Sequence, residues 1–157
     1  MLFSRLVFSA VHWAARHGLR EEESPAEDKD RTVARRTGVR GETYGYWYLR
    51  KMGYVFVAKN FIPRGAKGEI DLIGYDGKTL AFVEVRTRTP IEGQKALPEL
   101  SVTREKQRVL VRAAHQFLRE RHVNEDACRF DVLAIDNLTG HVPVLRLHKD
   151  AFSPKVR

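Results

Sequence analysis

Two apolar runs stand close together in this chain, Gly68-Glu69-Ile70-Asp71-Leu72-Ile73 and Phe82-Val83-Glu84-Val85-Arg86. Each carries carboxylates where a buried strand would carry Val or Ile, and a carboxylate is costly to bury unless something pairs with it. Between the runs lies Asp76-Gly77, the strongest short signal for a two-residue hairpin turn. With those two residues as the loop, Tyr75 faces Lys78, Ile73 faces Leu80, Asp71 faces Phe82 and Glu69 faces Glu84. Side chains alternate along a strand. Glu69, Asp71, Ile73, Leu80, Phe82, Glu84 and Arg86 therefore share one face, and Ile70, Leu72, Ala81, Val83 and Val85 the other.

That register opposes Glu69 to Glu84 and sets Asp71 diagonal to it, ~7–8 Å away and within reach of a bridging ion. Opposed like charges destabilise a sheet. A hard divalent cation, Mg²⁺ or Mn²⁺, would reverse the sign of the problem, because it takes oxygen ligands from one or two carboxylates plus water or phosphate. The competing reading is an exposed polar face on which Arg86 and Arg88 neutralise the acids. Leu80 and Phe82 on the same face argue against it.

The 157 residues, 43% of them hydrophobic, suffice for one domain with a core. A net charge of +8 favours a polyanionic partner, nucleic acid or anionic membrane. Cys128 is the only cysteine, which excludes a disulfide framework and a cysteine zinc cluster, and six histidines lack metal-ligand spacing. No phosphate-cradling glycine loop, nucleophile elbow or dinucleotide fingerprint is present.

Residues 1–19 read as an amphipathic helix whose polar stripe is Arg5, Ser9, His12 and Arg16. The charges interrupt it too often for a membrane span, and no clear cleavage site follows, so a cytoplasmic protein is expected. The helix either packs on the domain or lies on a membrane surface. Residues 20–36 form a charged linker, and 37–157 the main domain. Within it, Glu42–Met52 reads as a helix stopped by Gly53, and Ser101–Arg121 as the longest helix, with an apolar stripe from Val109 to Leu118. Strands are expected at 54–58, 69–75, 79–86, 129–135 and 142–147, with a loop over 60–68. The simplest solution is an α/β fold, one mixed β-sheet of about five strands flanked by helices.

A divalent ion held by Asp71 and Glu84 would lower the pKa of a bound water and polarise a phosphate, with the Val85 carbonyl as a further ligand. Glu42, at the start of the first domain helix, is either a third acid for this site or a carboxylate favoured by the helix dipole. Arg86 points to the same face as Glu84 and suits stabilisation of charge on phosphorus. It cannot be a general base.

Gly41-Glu42, Tyr48-Leu49, the two acidic runs, Lys106 and Arg129-Phe130-Asp131-Val132 together resemble the YraN-like family of small bacterial proteins described as endonucleases. That family is similar to the PD-(D/E)xK nucleases, which have the restriction-endonuclease-like fold and kinship to archaeal Holliday-junction resolvases. The resemblance covers roughly residues 37–147. It implies a nuclease-type core in which Asp71 and Glu84 bind metal, Glu42 is the helix-borne acid, and Arg86 stands where the superfamily has Lys. Glu69 and Lys106 are expected as supporting residues, Lys106 as a replacement for that Lys. Arg64, Lys67, Arg88 and Arg104 are expected to meet phosphate, and Asp131 to play a structural part with Arg129. The implied activity is metal-dependent cleavage of structured or branched DNA, and the alternative is nucleic-acid binding by a vestigial site. Analogy with resolvases implies a homodimer.

Overall fold

The structure, a computed structural model, describes residues 2–17, 41–65, 67–88, 102–123, 128–136 and 142–153; the expected linker over 20–36 lies outside the described residues. Its elements are α1 (Leu2–His17), α2 (residues 41–51), β1 (Val55–Phe61), β2 (Ile70–Asp76), β3 (Thr79–Arg88), α3 (Arg104–Arg121), β4 (Cys128–Asp136) and β5 (Val144–Phe152). The strands form one five-stranded sheet in the order β1-β2-β3-β4-β5. The β3–β4 pair is parallel and the other pairs antiparallel. This is the mixed sheet of an α/β fold. Parallel neighbours need a crossover connection, and α3 supplies it.

The β2–β3 register corrects the sequence reading. Asp76 pairs with Thr79, so the loop is Gly77-Lys78 rather than Asp76-Gly77. Gly77, at φ +62°, is the first central residue, and Lys78 has no positive φ. That is the pattern of a type II′ turn, which takes glycine first, whereas an Asp-Gly loop puts it second. Both strands slide by one residue, so the face memberships survive while the partners change. Ile73 now faces Phe82 and Leu72 faces Val83. Continued one step, this register sets Asp71 directly across from Glu84 and leaves Glu69 outside the pair.

Each sheet face buries its own core. On one, Ile73, Leu80, Phe82, Phe130 and Val132 pack against Leu110, Ala113, Ala114, Phe117 and Leu118 of α3. On the other, Leu72, Ala81, Val83, Leu133 and Ile135 pack with Tyr44 and Leu49 of α2 and Phe8 of α1. Ile70 belongs to the α3 side and not, as alternation predicts, to the side of Leu72. Asn60, in the neighbouring strand, takes φ +50° one residue before Phe61, the partner of Ile70. Asn60 itself lies in β1 rather than in the expected loop. Strand β5 also runs beyond its expected end at 147 to Phe152.

Helix α3 is closed at both ends. Thr103 Oγ1 accepts from Lys106 N at 3.2 Å, and His122 takes the left-handed conformation at φ 53°. Helix α1 docks through Phe8, whose ring stacks on Tyr44 at 5.5 Å, and His12 Nδ1 lies 2.6 Å from the Tyr44 hydroxyl. Phe3 and Leu6 of the same helix stay exposed. Among the described residues no helix is long and apolar enough to cross a membrane.

The turn end of the sheet is locked by a satisfied polar network. Asp131 is fully buried and accepts from the Tyr54 hydroxyl at 2.9 Å, Arg129 Nε at 2.9 Å and the Asp150 N–H at 3.0 Å. Asp150 at φ 53° lies where the β4–β5 register shifts, and that conformation accompanies its N–H bond to Asp131. Arg129 holds Asp131 as the sequence reading expects, and also reaches Asp76.

Phe82 stacks on Phe130 at 5.4 Å and meets the Phe117 ring edge-on at 6.0 Å, joining β3, β4 and α3. Phe82→Ala is expected to lower the unfolding free energy by about 3–5 kcal/mol, read from urea midpoints at unchanged slope. A loss under about 1 kcal/mol would place the ring outside a packed core.

Candidate functional site

The β2–β3 ladder ends at Leu72 and Val83. Past that pair the Val85 N–H, which a continued ladder would give to a backbone carbonyl, donates to Asp71 Oδ2 at 2.6 Å. The Asp71 side chain thus takes the place of a ladder acceptor, and the strands part around two carboxylates. Glu84 is buried at 7% exposure. Its Oε1 lies 3.1 Å from Lys106 Nζ on α3 and 3.9 Å from Arg86 Nε. Its Oε2 is buried and has no hydrogen-bond partner among the described residues.

A third acid comes from α2. Gly41 packs so close to β3 that a Cβ there would lie 1.7 Å from Thr87 Oγ1, so only glycine lets the helix start at this point. Glu42 follows, and its Oε2 accepts from Asn60 Nδ2 at 3.0 Å. Gly68 plays the same part for β2. It adopts φ +113°, and a Cβ would lie 2.1 Å from Val109 Cγ1, so glycine alone brings Glu69-Ile70-Asp71 in against α3.

Electrostatics record the crowding. Burial pushes the Asp71 carboxyl up to about 7, with the charges of Glu84 and Glu42 adding to it and the Val85 N–H and Lys106 opposing it. Burial also raises Glu84, against the pull of Lys106 and Arg86. Asp71, Glu84 and Glu42 thus sense one another, with Lys106 as the closest counter-charge.

Of the residues picked from sequence, Asp71, Glu84, Glu42, Arg86 and Lys106 are brought together here. Arg86 reaches Glu84 from a side chain 42% exposed. Glu69 is half-buried just before β2 and does not oppose Glu84. Arg64, Lys67 and Arg104 are exposed, and among the described residues no ion pair joins them to these acids. Arg88 is bonded to Asp136 at 2.7 Å, and Arg146 holds the same carboxylate at 2.6 Å. Asn60 is the residue the sequence reading missed. It falls between the pairs Lys59–Leu72 and Phe61–Ile70, hence against Asp71, while its amide holds Glu42. Its one sequence signal is that Asn tolerates the left-handed region.

Among the described residues no group of three His, Cys, Asp or Glu side chains is gathered as a metal cluster. The donors do fit a cation that keeps much of its own water. They are two facing hard-oxygen carboxylates, one with a buried, unpartnered oxygen, and Mg²⁺ or Mn²⁺ uses such sets with water and phosphate completing the shell.

A carboxyl raised from 3.8 to about 7 binds its proton more tightly folded than unfolded. Its contribution to stability is full below about pH 4 and is lost as the pH rises through about 7. In a chelating buffer, Asp71→Asn is therefore expected to be more stable than the parent at about pH 8, and to flatten the decline between about pH 4 and 7. Thermal unfolding across that range checks this, and a destabilised Asp71→Asn at the alkaline end would contradict it. At Asn60, Gly retains the left-handed backbone and a β-branched residue does not. Asn60→Val should unfold about 1–3 kcal/mol more easily than Asn60→Gly. Equal urea midpoints for the two would deny the conformation.

The chain matches the sequence model of the family described as Uncharacterised protein family UPF0102 over residues 41–135, from the start of α2 to the end of β4. It is 46% identical over 108 residues to the UPF0102 protein HEAR0176 of Herminiimonas arsenicoxydans, covering 69% of this chain and 83% of that one. It is 40% identical over 115 residues to the UPF0102 protein GSU0650 of Geobacter sulfurreducens, covering 73% and 87%. A UPF0102 protein of Geotalea uraniireducens is 39% identical over 124 residues, 79% of this chain and 94% of the relative.

Proposed function

This chain belongs to the UPF0102 family, and we propose that its buried acid pair makes it a divalent-metal-dependent endonuclease acting on structured or branched DNA. The observation that carries the reading is Glu84. A carboxylate this buried, with one oxygen paired to Lys106 and the other unpartnered beside Asp71, is costly in a structure of no further purpose. Asp71 and Glu84 would hold Mg²⁺ or Mn²⁺. When bound, that ion supplies an acidified water and a polarised phosphate.

The chain's own groups account for the rest. Lys106 reaches the site from α3 and supplies the ammonium that the resemblance expects at position 86. Unlike the planar guanidinium of Arg, its ammonium is a compact point charge on a flexible stem. Arg86, more exposed and farther from Glu84, would meet a phosphate entering from solvent and stabilise charge on phosphorus. Glu42, held by Asn60, adds negative charge that strengthens the site's demand for a cation. The second reading, binding by a site that does not cut, is favoured by Arg86 alone.

Purified protein with Mn²⁺ and labelled branched, duplex and single-stranded DNA is expected to cleave. Asp71→Ala and Glu84→Ala should abolish cutting, and Lys106→Ala should slow it by about 10²-fold or more. Cleavage that survives both acid substitutions would come from a contaminant. A gain of cutting on Arg86→Lys in an otherwise inert protein would mark a crippled site instead.

A further inference from the structure

On α3, Arg104, Arg108, Arg112, His115 and Arg119 recur at spacings of four, four, three and four residues, and all are exposed. Successive steps of three or four keep them on one stripe of the helix. At 1.5 Å per residue the stripe is about 22 Å long. It lies opposite the buried face made by Leu110, Ala113, Ala114, Phe117 and Leu118. None of its four arginines forms an ion pair among the described residues, whereas Arg88, Arg129 and Arg146 are each matched to an acid.

Nothing in folding calls for this arrangement. Like charges four residues apart repel along a helix, and cations in the first turns, here Arg104 and Arg108, oppose the positive end of the helix dipole. The loop after β1 lines one flank. Gln116 Nε2 donates to the Arg64 carbonyl at 3.1 Å and Gly68 abuts Val109, so the exposed Arg64 and Lys67 widen the same cationic surface. Lys106 turns inward from the first turn of this helix to Glu84, so the stripe begins within a turn of the acidic site.

We infer that the arginine stripe of α3, with Arg64 and Lys67 at its flank, is the track that holds the phosphate backbone of a nucleic acid. A line of guanidiniums suits a line of phosphates. A membrane surface would also want apolar side chains interleaved among the charges, and the stripe has none. The inference deepens the proposed nucleic-acid substrate and rests on it. Phosphate contacts carry no sequence information directly, so the stripe would contribute affinity and direction rather than sequence preference.

The test is binding of a fluorescently labelled DNA duplex by the full chain in chelator, where no cutting is needed, as a function of salt. Each phosphate contact contributes about 0.9 to the slope of log affinity against log salt concentration. The double variant Arg108→Gln/Arg112→Gln keeps good helix formers and should lose about two from that slope. The double variant Arg5→Gln/Lys51→Gln removes the same charge from the α1–α2 side of the sheet and should keep the parental slope. Equal slopes for the parent and the stripe variant would overturn the inference, as would equal losses for the two variants. So would a stripe variant that loses binding to anionic phospholipid vesicles but not to DNA. A reduced slope in a protein that never cuts would sustain the stripe and sink the nuclease reading; cutting with an unchanged slope would do the reverse.

Discussion

The meeting of Asp71 and Glu84 just past the end of the β2–β3 ladder is the constraint around which the other elements are arranged. Two facing carboxylates repel, and here the ladder gives way at that point. The Val85 N–H leaves the ladder for Asp71, and both acids are pushed toward protonation. Each neighbouring helix then answers the pair in its own way. Lys106 of α3 brings a counter-charge to one oxygen of Glu84, and α2, seated tightly on Thr87 through Gly41, brings a third carboxylate. The acid pair therefore makes sense of features that would otherwise be unrelated: a left-handed Asn in an edge strand, a glycine with no room for a Cβ, and a lysine turned inward from a helix.

Glu84 and Asp131 show how differently two buried carboxylates can be used. Asp131 has donors from three directions, and its network ties the start of β1, the end of β2, β4 and β5 into one unit. Glu84, on the neighbouring strand, keeps a buried oxygen with no donor among the described residues. A satisfied buried acid stabilises and specifies the fold. An unsatisfied one costs stability, which is the usual sign that a site serves a ligand instead. In the β3–β4 register Asp131 lies across from Val83, one residue from Glu84, and alternation sends the two carboxylates to opposite faces of the sheet, so the difference between them is one of face and not of position along the strands.

The family match runs from α2 through β4 and so contains the acid pair, Glu42, Asn60, Lys106 and the arginine stripe. Helix α1 lies outside that span. It adds Phe8 to the aromatic layer over Tyr44 and leaves Phe3 and Leu6 in solvent. It is an addition to the α2 face of the sheet, remote from α3.

Much of this was legible along the chain. Alternating apolar residues specify β2 and β3, the 3.6-residue period of Val109 to Leu118 specifies α3, and acids within apolar strands single out Asp71 and Glu84, because each of these is a local pattern of side-chain direction and burial. Three things were not local. The hairpin register depended on whether Gly77 took the first or second place in its turn, a choice of one residue that decides which acid faces Glu84. The place of Asn60 depended on a left-handed residue that local sequence cannot distinguish from a loop. The pairing of Lys106 with Glu84, and the release of Arg86 toward solvent, depended on how α3 crosses the sheet. The order of residues along the chain carries which side chains are acidic, basic or apolar and how they repeat. Which of them meet is settled in folding, because opposition across a sheet and reach from a helix are set by packing between segments far apart in the chain.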